Sequence, residues 1–187
     1  MSLRPLIAVF LLAGSVPAMA QTFDVSLSND SAKLLYTAPM GQQGFGRGEF
    51  DGTLLFTDDD SIMGAVGFGV IGEAGSGSPG LNAGVGVRLY GLNTDNNDVA
   101  ALTLGGQLRF SPTALPRLRF TGSINFAPSI VTFMDGERFI DTGVTVGYEV
   151  FQDAVAYVGY RRIRADIEDG PDLTVDQGAH IGINFRF

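Results

Sequence analysis

Leu173-Thr174-Val175-Asp176-Gln177-Gly178-Ala179-His180-Ile181-Gly182-Ile183-Asn184-Phe185-Arg186-Phe187 is the stretch that decides the fold. Its odd positions are apolar apart from Gln177. Its even positions, Thr174, Asp176, Gly178, His180, Gly182, Asn184 and Arg186, carry no large apolar side chain. Successive side chains of a strand point to opposite faces, so this reads as a strand between an oily and a wet environment. Such a run is long for a soluble strand and comfortable for a tilted membrane crossing with an overhang.

The same pattern recurs upstream at even spacing. Phe50, Leu54 and Phe56 alternate with Glu49, Asp51 and Thr53 before the turn Asp58-Asp59-Asp60. Ile62 to Ile71 is apolar or Gly on both faces, so its facing is open. Leu81, Ala83, Val85, Val87 and Leu89 oppose Asn82, Gly84, Gly86, Arg88 and Tyr90; Leu102, Leu104, Leu108 and Phe110 oppose Thr103, Gln107 and Arg109. Leu118, Phe120, Ile124 and Phe126 oppose Arg117, Arg119, Thr121, Ser123 and Asn125, with Ala127-Pro128-Ser129 interrupting that strand. Val144, Val146, Tyr148 and Val150 oppose Glu149 and its neighbours, and Phe151-Gln152-Asp153-Ala154 is a tight turn. In the next strand Tyr157 and Ile163 are read as the apolar face, against Tyr160, Arg162, Arg164 and Asp166.

Alternating segments of about ten residues, separated by turns, are the signature of an antiparallel meander. The fold class expected is all-β: a small antiparallel transmembrane β-barrel. Eight strands are counted from Phe50 to the end, an even number that leaves both barrel ends on the periplasmic side. Residues 22–39 are then an accessory segment. If they instead form a hairpin turning at Asn29-Asp30, the count is ten.

Residues 1–20 read as a signal peptide. Arg4 supplies a positive region, Leu6 to Ala13 an apolar core, and Ala18-Met19-Ala20 a cleavage site before Gln21. The mature chain, residues 21–187, is one barrel domain in the outer membrane of a Gram-negative bacterium. Apolar residues make up 45% of the sequence and there are 26 glycines. Such walls are poor core material in water and suit a barrel covered by lipid. Cysteine is absent, so a closed hydrogen-bonded ring, and not disulfides, has to hold the fold.

The formal charge of −8 becomes −9 once Arg4 is removed, which argues against nucleic acid as a partner. The acid gathers in turns: Asp58 to Asp60; Asp95 and Asp98; Asp166, Glu168, Asp169 and Asp172. Solvated turns account for it, with cation bridges to lipopolysaccharide as the functional alternative. The partners expected are the lipid bilayer and lipopolysaccharide.

Several stretches resemble the YfaZ-like outer-membrane protein family: Leu27-Ser28-Asn29-Asp30-Ser31, Ala127-Pro128-Ser129, Asp135-Gly136-Glu137-Arg138, Gly159-Tyr160-Arg161-Arg162-Ile163-Arg164 and the final Gly178 to Phe187. The resemblance implies a small outer-membrane barrel of unsettled activity and transfers no catalytic residue. The terminal Phe resembles the sorting signal of outer-membrane barrels, which makes Phe185 and Phe187 the expected signal for the barrel-assembly machinery.

With apolar side chains facing lipid, the lumen is expected to hold a structural polar network of Glu149, Arg162, Arg164, Asp176, His180 and Arg186, joined by Arg109, Arg119 and Asp166. Unpaired charges in a narrow interior are expensive, so these need one another. A thin water path lined by the same residues is the functional alternative.

His180, the only histidine, is followed by Ile181 and Gly182 and lacks the Ser of a deacylase-like barrel. It is expected to be structural. One histidine and no cysteine exclude the usual zinc sets, and the Asp58 to Asp60 run lacks the spacing of a calcium loop. No cofactor is expected. The reading is a non-enzymatic barrel with a structural or narrow-channel role. A soluble lipocalin-like barrel, with the facing reversed, and a lipid-modifying enzyme stay open beside it.

Overall fold

Alternating β-branched, aromatic and small residues set the strands, and the turns fall where Gly, Asp and Asn cluster. The structure, a computed structural model, describes residues 21–43, 46–75, 79–94, 97–167 and 170–187. The expected signal peptide lies outside the described residues, as do Asp95, Glu168 and Asp169 of the acidic loops. The strands are β1 (Thr22–Leu27), β2 (Ser31–Gln43), β3 (Gly46–Thr57), β4 (Ile62–Glu73), β5 (Leu81–Asn93), β6 (Asp98–Phe110), β7 (Leu118–Ala127), β8 (Thr132–Met134), β9 (Gly136–Phe151), β10 (Ala154–Ile167) and β11 (Leu173–Arg186).

Each strand pairs antiparallel with its neighbours in the order β5-β4-β3-β2-β1-β11-β10-β9-β7-β6, and β5 pairs β6 to close the ring. The wall therefore has ten strands, not the eight favoured from the sequence. The reason is β1. It pairs β2 on one edge, from Thr22↔Thr37 to Leu27↔Ala32, and β11 on the other, from Thr22↔Arg186 to Leu27↔Ile181. Residues 22–39 are wall, turning at Ser28 to Asp30. Gln21 and Phe187 extend the seam by exchanging backbone hydrogen bonds of 2.9 and 3.0 Å.

Two irregularities shape the wall. Pro39, which has no ladder donor, sits where the β2–β3 register shifts, and Gly41 beside it takes the positive φ of +87° that the bulge requires. The expected interruption at Ala127-Pro128-Ser129 is a single 3₁₀ turn, Ser129–Val131. After it β8 resumes along β6, so that Leu104↔Phe126 is followed by Ala101↔Thr132.

The facing is that of a membrane barrel. Val85, Val87, Leu102, Leu104, Ile124, Val144, Val146, Val158 and Ile181 are exposed on the outside. Inward positions are polar over much of the length, which removes the soluble, apolar-inside alternative. The facing left open for β4 resolves with Ile62, Val66 and Phe68 outward and Met63, Ala65 and Ile71 inward. The 151–154 turn shares the end of the barrel with the termini, and the 58–61 turn and residues 170–172 share the other.

Candidate functional site

The interior is built in layers, because a ten-stranded ring is wider than the eight-stranded one that ordinary side chains just fill. Across the loop end lies an apolar plug. Leu55, Met63, Tyr90, Leu92, Val99, Ala101, Ala127, Phe139, Ile163, Ala165 and Ile167 form one buried cluster. Tyr90 and Phe139 span it with ring centroids 4.6 Å apart.

Below the plug, long polar side chains reach across the lumen. Tyr90 Oη donates to Asp141 Oδ2 at 2.8 Å, tying β5 to β9. Arg88 Nη2 donates to Asp51 Oδ1 at 2.9 Å, crossing over Gly67 of β4. A Cβ on Gly67 would lie 2.7 Å from that carboxylate oxygen and 2.8 Å from Arg88 Cγ, so the pair exists only because position 67 has no side chain.

Arg161 binds the seam. Its guanidinium pairs with Asp176 of β11 through Nε, and Nη1 and Nη2 donate to Ser26 Oγ of β1 at 3.1 Å and Ser31 Oγ of β2 at 3.0 Å. One residue of β10 thus holds the three strands that close the ring. Tyr157 Oη, from the same strand, donates to Asp24 Oδ1 of β1 at 2.6 Å, and Asn184 Nδ2 reaches Asp24 Oδ2 at 3.4 Å.

Nearer the termini, Arg109 grips Glu49 in a fork of 3.2 and 2.8 Å, and Arg47 shares the same carboxylate at 3.1 Å. Arg119 pairs Glu149 at 2.6 Å. Between the Arg88 and Arg109 pairs lies a polar cavity of about 50 Å³, bordered by Asp51, Gln107, Ser123 and Asn125. That is room for a few waters, and the unpartnered Asp51 Oδ2 is the group that would bind one.

On β6 and β7 the inward-facing residues become more accessible toward the termini, while Glu49 of β3 and Asp24 of β1 stay buried near that end. On β6 Val99, Ala101 and Thr103 are buried, whereas the Arg109 side chain is 39% exposed. On β7 Ala127 and Asn125 are buried, and Ser123, Thr121 and Arg119 are half-exposed. The buried apolar cluster lies between these residues and the loop end.

Of the residues expected inside, Glu149, Asp176 and His180 face the interior. His180 lies over Gly159 with its ring edge-on to Tyr157, 5.9 Å away. Asp176 is committed to Arg161, so the structure does not bring an Asp–His pair together. Arg186 shares the inward side but is exposed at the mouth.

Arg162, Arg164 and Asp166 face outward, contrary to expectation. Arg164 pairs with Asp166 at 3.0 Å and with Asp172, and Arg138 approaches Asp166 at 3.5 Å. The error follows from taking Tyr157 and Ile163 as lipid-facing. Both point inward, Tyr157 to Asp24 and Ile163 into the plug, so the inward arginine of the Arg161-Arg162 doublet is Arg161. Sequence reasoning also missed Asp24, Asp51, Arg88 and Asp141. All four lie at the inward parity of alternating stretches, and that parity was their available signal.

A model of the family described as YfaZ precursor matches residues 2–187. The chain belongs to the YfaZ family. No curated protein matches it. Among solved structures it is similar to the KdgM porin, at 12% identity and a TM-score of 0.48, over 90% of this chain and 99% of that one. It is also similar to the outer membrane channel DcaP of Acinetobacter baumannii, at 16% identity and a TM-score of 0.45, over 92% of this chain and 55% of that one. These likenesses bring no residue role with them. This YfaZ-family protein is an outer-membrane β-barrel, ringed by apolar side chains that meet lipid.

Proposed function

We propose that this barrel is a sealed, non-enzymatic structural protein of the cell envelope and does not conduct steadily. The apolar plug carries the reading: Leu55, Ala101, Phe139 and Ile163 have no solvent exposure at all, and they lie between the loops and the polar half of the lumen. The polar network of Glu149, Asp176, His180 and the cross-lumen ion pairs serves as the core of the lower half. Phe185 and Phe187, exposed at the seam's end, serve as the assembly signal.

Single-channel recording of the full mature chain in a planar bilayer tests this. The bilayer should stay silent at moderate voltage. Sustained, reproducible conductance steps would replace the structural role with the narrow-channel one.

A further inference from the structure

Arg162 is an exposed charge on the outward face of the wall. Along the outward face of β10 the side chains run Ala156, Val158 and Tyr160, then Arg162, Arg164 and Asp166. The cross-strand row of Arg162 holds Gln177 of β11 and Thr142 of β9, so this part of the wall turns from apolar to polar at this step. Tyr160, half-exposed below it, is a residue that favours the membrane interface. On β10 and β11 the outward face therefore turns from apolar to polar at Arg162, while Ile124 of β7, in the same row, stays apolar.

The neighbouring charges do not satisfy it. Arg164 is held by Asp166 and Asp172, and Arg138 by Asp166. Among the described residues Arg138 and Arg164 share the carboxylates of Asp166 and Asp172, and Arg162 pairs with neither. Arg162 is exposed, and among the described residues its side chain has no ion-pair or hydrogen-bond partner. Asp135 and Glu137 stand at the turn above, next to Arg138 in the chain. At headgroup depth an outward guanidinium costs little, and it stands within reach of lipid phosphates. Its planar fork matches a phosphate in two parallel hydrogen bonds.

We propose that Arg162, flanked by Arg164 and Arg138, binds a phosphate of the outer-leaflet lipid, which in an outer membrane is lipopolysaccharide. The assignment takes the loop end as the outward end, with both termini on the periplasmic side.

The full mature chain, refolded in phosphatidylcholine vesicles containing diphosphorylated lipid A, would be extracted in mild detergent and its retained lipid counted by native mass spectrometry. Arg162→Gln should retain about tenfold less lipid A, the loss of one charge-assisted pair, and Arg162→Lys should fall between. Arg47→Gln, at the terminus end, should retain as much as the wild type. Retention by Arg162→Gln equal to wild type overturns the site. Equal retention of dephosphorylated lipid A also overturns it, because acyl chains would then be what is recognised. If free inorganic phosphate displaces lipid A from Arg162, a soluble anion and not a lipid is the ligand, and the lipid assignment falls.

Discussion

Replacing Arg161 with Met tests the polar interior at its most connected point. The Arg161 and Asp176 side chains are 4% and 5% exposed, so water cannot take the place of either partner. Methionine fills much of the volume but leaves the Asp176 carboxylate buried without a counter-charge. It also strips Ser26 and Ser31 of their donor. Removing one member of a buried ion pair costs about 3–5 kcal/mol. The lost hydroxyl contacts add about 1 kcal/mol between them.

Urea unfolding in phosphatidylcholine vesicles, followed by circular dichroism and by gel mobility without boiling, would read the loss directly. The sequence has no tryptophan, so fluorescence is a weaker probe. Removing both charges, in Arg161→Met with Asp176→Leu, should recover most of the stability, because the penalty lies in the orphaned carboxylate. Arg162→Met, next in sequence but outside the barrel, should change stability by no more than about 0.5 kcal/mol in the same vesicles. A cost below about 1 kcal/mol for Arg161→Met, or a double variant as unstable as the two single losses added, would refute this account of the seam.

Other outcomes follow from the same geometry. Deleting Phe187 removes the backbone exchange with Gln21 and the terminal aromatic ring, and should lower outer-membrane levels on fractionation; unchanged levels would end its role as assembly signal. Val146→Arg should cost about 2–4 kcal/mol in vesicle unfolding, as a charge on the lipid face near mid-wall, while Val146→Leu should be close to neutral. Gly67→Val should cost about 1–3 kcal/mol by forcing Arg88 and Asp51 apart. A Gly67→Val barrel as stable as wild type would mean that the pair tolerates a side chain beneath it.

How far the sequence carries can be judged strand by strand. β11 was read nearly to its end, since one face meets lipid and the other water, and alternation registers that difference. It fails at the β10–β11 bulge, where Ile163↔Asp176 gives way to Arg164↔Thr174. Beyond that point Leu173 and Val175 turn toward the plug, which no count of odd and even positions reveals. In β10 the alternation points the wrong way for a related reason. Apolar residues face outward only where the interior is polar, and Ile163 and Ala165 are apolar because the lumen at their level is dry. β1 was hard to place because it is six residues long, and its membership of the wall depends on a partner at the far end of the chain.

That last dependence sets the order of folding. Every other wall strand but β11 pairs with strands adjacent or nearly adjacent in sequence, so those contacts can form as the chain is supplied. The β1–β11 ladder joins residues such as Asp24 and Asn184, 160 positions apart, and loop closure on that scale is slow and carries a large entropy cost. Until it forms, two bare edges face each other, each able to capture a foreign strand. The hydrogen bonds of Arg161, Tyr157 and Asn184 across this one gap tie the first strand of the ring to its last two. A chain cut short at either end would keep most of its strands and still lack a barrel.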